Sequence, residues 1–126
     1  MRLLFLIAVG IAGFVCQARE VVVLEKTGAA IQRAIDAVAK EGGGRVTLTN
    51  GLYESATIYL RSGVDLHLTK NAVLRGSALP DDYDDIDDPR IKKAPERSKK
   101  AFLVCLGGEN VSITGEGTID GQGPLF

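Results

Sequence analysis

The chain has 126 residues, 45% of them hydrophobic and 25% charged, a globular composition that argues against wholesale disorder and allows one domain. Fifteen Lys and Arg against 16 Asp and Glu leave a formal net charge of −1, which excludes a strongly basic nucleic-acid binder. One His and two Cys are too few for a zinc site built from those residues.

Met1-Arg2 is a short positive start, and Leu3 to Val15 is an uncharged apolar run. Cys16-Gln17-Ala18 then places small residues where a leader peptidase cuts. This is the three-part pattern of a secretory signal peptide, 1–18, cleaved after Ala18, and the apolar run is shorter than the ~20 residues a membrane span needs. The reading is therefore a secreted or periplasmic protein with no membrane attachment after cleavage. Cys105 is then the single cysteine of residues 19–126, so an internal disulfide is excluded.

Glu20 to Leu24 reads as a β-branched strand. Thr27 is a candidate N-cap, and Ile31, Ala34, Ile35 and Val38 repeat at helical spacing, which predicts a helix over 29–41 closed by Gly42-Gly43-Gly44. The period then changes. Val46 and Leu48 alternate with polar residues, Asn50-Gly51 turns, and Ile58 and Leu60 alternate again. Val64, Leu66 and Leu68 point one way while Asp65 and His67 point the other; Ala72-Val73-Leu74 follows as a further short strand.

A loose repeat links Val64-x-Leu66 and Val73-Leu74-x-Gly76 to Val111-x-Ile113 and Ile119-Asp120-Gly121. Short strands, glycine corners and self-similarity are what a stacked β-solenoid needs, with the helix as a lid on its open first turn. Between the repeats, residues 81–88 read DDYDDIDD and are followed by Arg90, Lys92, Lys93, Arg97, Lys99 and Lys100, with Pro80, Pro89 and Pro95 as punctuation. This predicts a long charged loop over 78–100 that leaves the coil. Phe102 to Leu106 returns as a continuous apolar strand.

Three blocks carry a resemblance: TGAAIQRAIDAVAKEGGGRVTLTNGLY (27–53), IYLRSGVDLHLTKNAVLRGS (58–77) and ENVSITGEGTIDGQG (109–123). In content, order and spacing they resemble the start of glycoside hydrolase family 28, the polygalacturonases and their relatives. The first block is shared more widely among pectate-lyase-like proteins. The resemblance implies an all-β, right-handed parallel β-helix, of which residues 19–126 would be the N-terminal cap helix and first coils only. It also implies hydrolysis of α-1,4-linked galacturonic acid in pectin with inversion and no cofactor, by a protein that is a monomer when full length.

Inverting hydrolysis needs one carboxylic acid to protonate the leaving oxygen and a carboxylate to activate water. The family supplies them from an Asn-Thr-Asp segment and an Asp-Asp pair, with a Gly-His-Gly histidine and an Arg-Ile-Lys cluster, all C-terminal to the Gly-Thr-Ile-Asp-Gly block. In this sequence that block is 117–121, so the expectation is a truncated chain with no catalytic residue, no metal site and no residue assigned to substrate binding, inactive and aggregation-prone when made alone. A pectate-lyase-like polysaccharide lyase and a non-catalytic β-helix that binds surfaces are the alternatives. Chain-end or internal cutting, and plain, rhamno- or xylogalacturonan, stay open.

Several residues imitate a site. Arg90-Ile91-Lys92 spells the cationic motif but precedes the 117–121 block, and reads as a solvated basic loop rather than a substrate clamp. The Asp pairs 81–82, 84–85 and 87–88 lack a visible means of raising one pKa for acid catalysis. They offer oxygen ligands to calcium without a known loop spacing, and pairing with the following basic run is the favoured reading. His67 is expected to face outward, Asp120 to make a turn hydrogen bond, and Cys105 to be a buried small hydrophobe. Tyr53, Tyr59 and Tyr83 are candidates for stacking on sugar rings.

Overall fold

Thr27 opens the helix in the manner its sequence suggests. In the computed structural model, which describes residues 19–86 and 100–122, helix α1 spans Gly28–Lys40, and the Thr27 hydroxyl accepts the Ala30 N–H at 3.2 Å. This satisfies one of the donors that a helix start leaves open. Gly42 N–H and Gly43 N–H return to the carbonyls of Ala39 and Val38 at 3.1 and 2.9 Å and close the last turn. The helix starts and stops one residue before the expected 29–41. Ala30, Ile31, Ala34, Ile35 and Val38 are its buried face, as the 3.6-residue period requires.

The strands are β1 (Arg19–Val23), β2 (Gly44–Leu48), β3 (Gly51–Ser55), β4 (Ile58–Tyr59), β5 (Val64–Leu68), β6 (Ala72–Gly76), β7 (Leu103–Val104), β8 (Ser112–Gly115) and β9 (Thr118–Asp120). They form three sheets ordered β1-β2-β5-β8, β3-β6-β9 and β4-β7, and every pairing between them is parallel. One coil is thus a strand from each sheet in turn, and the fold is a parallel β-helix. Between β1 and β2, helix α1 occupies the stretch of chain that in later coils supplies the second and third strands. It packs on β1 through β5.

Register gives the length of a coil. Arg45 pairs with Asp65, 20 residues on, while Asp65 pairs with Ser112, 47 residues on. The difference is the excursion between β6 and β7, which leaves the stack of strands intact around it. Inward side chains fall in rows: Val46, Leu66 and Ile113 in the first sheet, Tyr53, Leu74 and Ile119 in the second, Ile58 and Leu103 in the third. With the helix face, all of these but Ile113 and Ile119 make one core. Each fully buried Leu or Ile contributes about 1.5–3 kcal/mol relative to exposure.

Three expectations need correction, and one strand has no counterpart in the sequence reading. The segment after Asn50 is a full strand, β3, because Tyr53 and Ser55 point inward while Leu52 and Glu54 point out, a phase that hydropathy inverts. Phe102 to Leu106 contains only a two-residue strand, Leu103–Val104, matching the equally short β4. The second leg of the repeat is offset by one residue, since Val73 pairs with Thr118 and Leu74 with Ile119. Cys105 is exposed. It follows Val104 on the strand row where Leu60 is the buried neighbour, but no described strand lies beyond β7 to cover it. The same absence leaves Ile113 and Ile119, members of the inward rows, 43% and 39% exposed.

Candidate functional site

The excursion leaves and rejoins the coil through a fastened stem. Pro80–Asp82 forms a single 3-10 turn. Tyr83 is buried, stands edge-on to Phe102 with ring centroids 6.2 Å apart, and donates to the Ser77 carbonyl at 2.6 Å. Ile86 is buried beyond it. Asp85 and Lys100 form an antiparallel bridge and an ion pair at 3.1 Å. Thr57 ties both arms to the coil: its hydroxyl donates to the Ala101 carbonyl at 2.8 Å and accepts the Asp84 N–H at 2.9 Å.

Three of the four described aspartates of the acidic run are therefore structural. Asp82 accepts from the Ser77 hydroxyl, Asp84 from the Tyr59 phenol at 2.7 Å, and Asp85 pairs with Lys100. Each of these three carboxylates is committed to holding the stem, and the Asp85 pair is one instance of the expected acid–base pairing within the loop. Asp87, Asp88 and Arg90-Ile91-Lys92 lie outside the described residues. Among the described residues, no group of three or more His, Cys, Asp or Glu comes together as a metal site.

Tyr59 carries a measurable signature of this stem. The hydrogen bond to Asp84, then burial and the Asp84 charge, push its phenol above the ordinary 10.0, while Arg61 acts against them. A neutral phenol is the form that can donate, so the contact's stability is fully present below the ionisation of an unfolded tyrosine. It is lost as pH rises through the raised folded value. Asp84→Asn should bring the Tyr59 ionisation back toward the ordinary value, read as phenolate absorbance in an alkaline titration. An unchanged titration would detach Tyr59 from the stem. Tyr83 is also raised, by burial and then by Asp82.

The outer face of the first sheet carries a network across coils. Asp65 accepts from Arg45 Nε at 2.9 Å, from Ser112 at 3.0 Å and from Thr114 at 2.9 Å. The single Thr114 hydroxyl proton goes to Asp65, so Thr114 must accept from His67 Nδ1, 2.7 Å away. His67 thus faces outward as expected, held as the Nδ1–H form. Thr47 donates to Glu20 at 2.6 Å and extends the pattern upward. On the second sheet, Glu54, Arg75 and Asp120 stand in register in one outward row. Asp120 makes the anticipated turn bond, accepting Gln122 N–H at 2.9 Å, and lies 3.5 Å from Arg75 Nε.

Of the tyrosines, Tyr53 is no sugar platform: its side chain is wholly buried and its hydroxyl bonds the backbone. Tyr59 is half-buried with Arg61 5.5 Å above its ring. Sequence reasoning did not single out Glu54, Arg75 or Arg61. Their only signal is alternation on strands whose phase was itself missed or whose length was underestimated.

No protein-family model matches the chain. A curated exo-poly-alpha-D-galacturonosidase from Dickeya chrysanthemi is 30% identical over 104 residues, covering 75% of this chain and 16% of that protein. A solved hyperthermoactive exopolygalacturonase from Thermotoga maritima superposes with a TM-score of 0.70 at 29% identity, over 83% of this chain and 26% of that one. The chain resembles the polygalacturonases of family 28 in sequence and in fold. The solved family 28 exopolygalacturonase of Yersinia enterocolitica agrees, with a TM-score of 0.65 at 29% identity over 83% of this chain and 21% of its own. The chain thus spans about a sixth of the curated polygalacturonase and a fifth to a quarter of the two solved ones, and its likeness to them covers most of its own length.

Proposed function

We propose that this chain forms the N-terminal coils of a right-handed parallel β-helix glycoside hydrolase that cleaves α-1,4-galacturonosyl linkages of pectin. Helix α1 caps the first coil, and the acid and base of the inverting reaction come from coils other than these. The observation that carries the reading is the coincidence of the two likenesses: the sequence match and the fold match both fall on exopolygalacturonases. Those names further favour attack from chain ends. Residues 1–18 act as an export signal removed after Ala18, and the pectic polymer is met outside the cytoplasm by a monomeric enzyme that needs no cofactor.

The test is a reducing-sugar assay on polygalacturonate. The complete protein carrying these coils should release reducing ends, with monomer or dimer from the first minutes and no ultraviolet-absorbing unsaturated product. The 126-residue chain alone should release none. Turnover by the chain alone would place the acid and base within it, and an unsaturated product would make the protein a lyase. Early long oligomers would mean internal cutting. N-terminal sequencing of the exported protein should begin at Arg19.

A further inference from the structure

A cleft of about 620 Å³ opens where the charged excursion departs from the second sheet, with Glu54, Ser55, Arg75, Ser77, Asp82 and Gln122 as its polar walls. Its size is that of a small-molecule site. Two of its groups have bonding capacity left over. The Glu54 carboxylate has neither a hydrogen bond nor an ion pair among the described residues, although it is flanked in register by Arg75. Arg75 Nε is buried and makes no hydrogen bond; the Asp120 carboxylate at 3.5 Å is close enough for charge attraction but not placed to accept from it. Nε itself is closed to a ligand, but the Arg75 side chain is 38% exposed, and its terminal N–H groups make no hydrogen bond among the described residues.

The remaining walls are partly spoken for in a way that leaves complementary atoms over. The Gln122 amide donates to the Gly76 carbonyl, which leaves its own oxygen as an acceptor, whereas the Ser55 hydroxyl faces the core and donates to the Ala56 carbonyl at 3.0 Å. The cleft therefore sets carboxylate and amide acceptors beside guanidinium donors. That mixture matches a ligand whose hydroxyls both donate and accept. The charge decides which such ligand. Glu54 and Asp82 outnumber Arg75, and Asp120 already lies against Arg75 from outside, so a sugar bearing a carboxylate meets net repulsion.

We propose that this cleft is a binding subsite for a neutral saccharide unit, a hexose or pentose without a carboxylate, with Glu54 accepting from vicinal hydroxyls and Arg75 donating to ring or hydroxyl oxygens. It lies on the second sheet, apart from the Tyr59 side of the stem, and does not depend on the hydrolase reading: binding can hold where hydrolysis fails, and the reverse.

Saturation-transfer NMR on the full chain, with galactose, arabinose, rhamnose and galacturonic acid each at the same millimolar concentration, tests it. Transfer is expected to at least one neutral sugar and to be weaker for galacturonic acid. Glu54→Gln, which keeps the shape and removes the charge, should weaken neutral-sugar binding about tenfold or more. Arg75→Lys, which retains a cation facing Asp120, should weaken it while preserving the circular dichroism of the parent. His67→Ala, on a different sheet, should leave binding unchanged. Equal or stronger transfer to galacturonic acid, indifference to Glu54→Gln, or no transfer to any neutral sugar would each overturn the proposal.

Discussion

Tyr53→Phe is expected to destabilise the fold by about 2–3 kcal/mol, a large effect for the loss of one oxygen atom. The phenol is wholly buried, donates to the Val23 carbonyl at 2.7 Å and accepts the Thr49 N–H at 3.0 Å. Val23 ends β1, Thr49 follows β2, and Tyr53 lies on β3, so one hydroxyl joins the corner of the first coil to the strand above it. Lys26 adds a third contact at 3.2 Å, with its ammonium 4.5 Å from the ring centre. Phenylalanine fills the same volume, so no cavity enters; the cost is a buried carbonyl and a partly buried N–H left without partners. Tyr53→Ala removes the ring as well and should cost about 3–5 kcal/mol or more through the cavity. Urea unfolding of the folded protein measures both. A loss below about 0.5 kcal/mol for Tyr53→Phe would mean that water replaces the hydroxyl and that the corner is open.

This residue also shows where the sequence was and was not readable. The helix was legible because its apolar period is regular and its cap is a threonine, and strands β2 and β5 were legible because their apolar residues all point inward. Strand β3 was not, since Leu52 faces solvent while a tyrosine and a serine face the core. Ser55 fits there because Gly28 lies against it: a Cβ on Gly28 would come 2.2 Å from the Ser55 hydroxyl oxygen. That is a tertiary fact with no local signal. Cys105 failed for a different reason. Its apolar surroundings in sequence indicate the inward side of a strand, but burial in a solenoid comes from the next coil, and the residue itself says nothing of what stacks beneath it.

The polar site followed the same division. The outward direction of His67 and the turn bond of Asp120 are consequences of strand alternation and of Asp before Gly, both local. The use of Asp82, Asp84 and Asp85 as pins depends on Ser77, Tyr59 and Lys100, which are brought to them by the fold. The row of Glu54, Arg75 and Asp120 depends on register across three coils. A 20-residue repeat would reveal such rows, but the 47-residue step to the last coil hides it.

The corner between β8 and β9 should be the least tolerant of added atoms, and a matched pair of glycines isolates why. Gly115 has φ +100 and Gly42 has φ +101, so alanine suffers the same backbone strain at either position. They differ in surroundings. A Cβ at Gly42 meets nothing within 4 Å, whereas at Gly115 it would lie 2.0 Å from the Leu68 carbonyl oxygen and 2.9 Å from its carbon. Those are backbone atoms of the coil above, paired in register with Gly115 itself, so no side-chain rotation relieves the contact. At Gly117, two residues on, a Cβ would come 2.6–2.8 Å from Leu68, Thr69 and Ala72, and the Gly117 N–H bonds the Leu68 carbonyl at 3.2 Å. Gly42→Ala should cost about 1 kcal/mol, the strain alone, and Gly115→Ala about 3 kcal/mol or more, since β8 must also part from β5. Parting these strands would shift Asp120 away from Arg75 and release Ser112 and Thr114 from Asp65, so the same substitution should disturb both outward networks. Thermal unfolding of the two variants, side by side, measures the difference; equal losses would show that the coils do not stack at this corner as closely as the register requires.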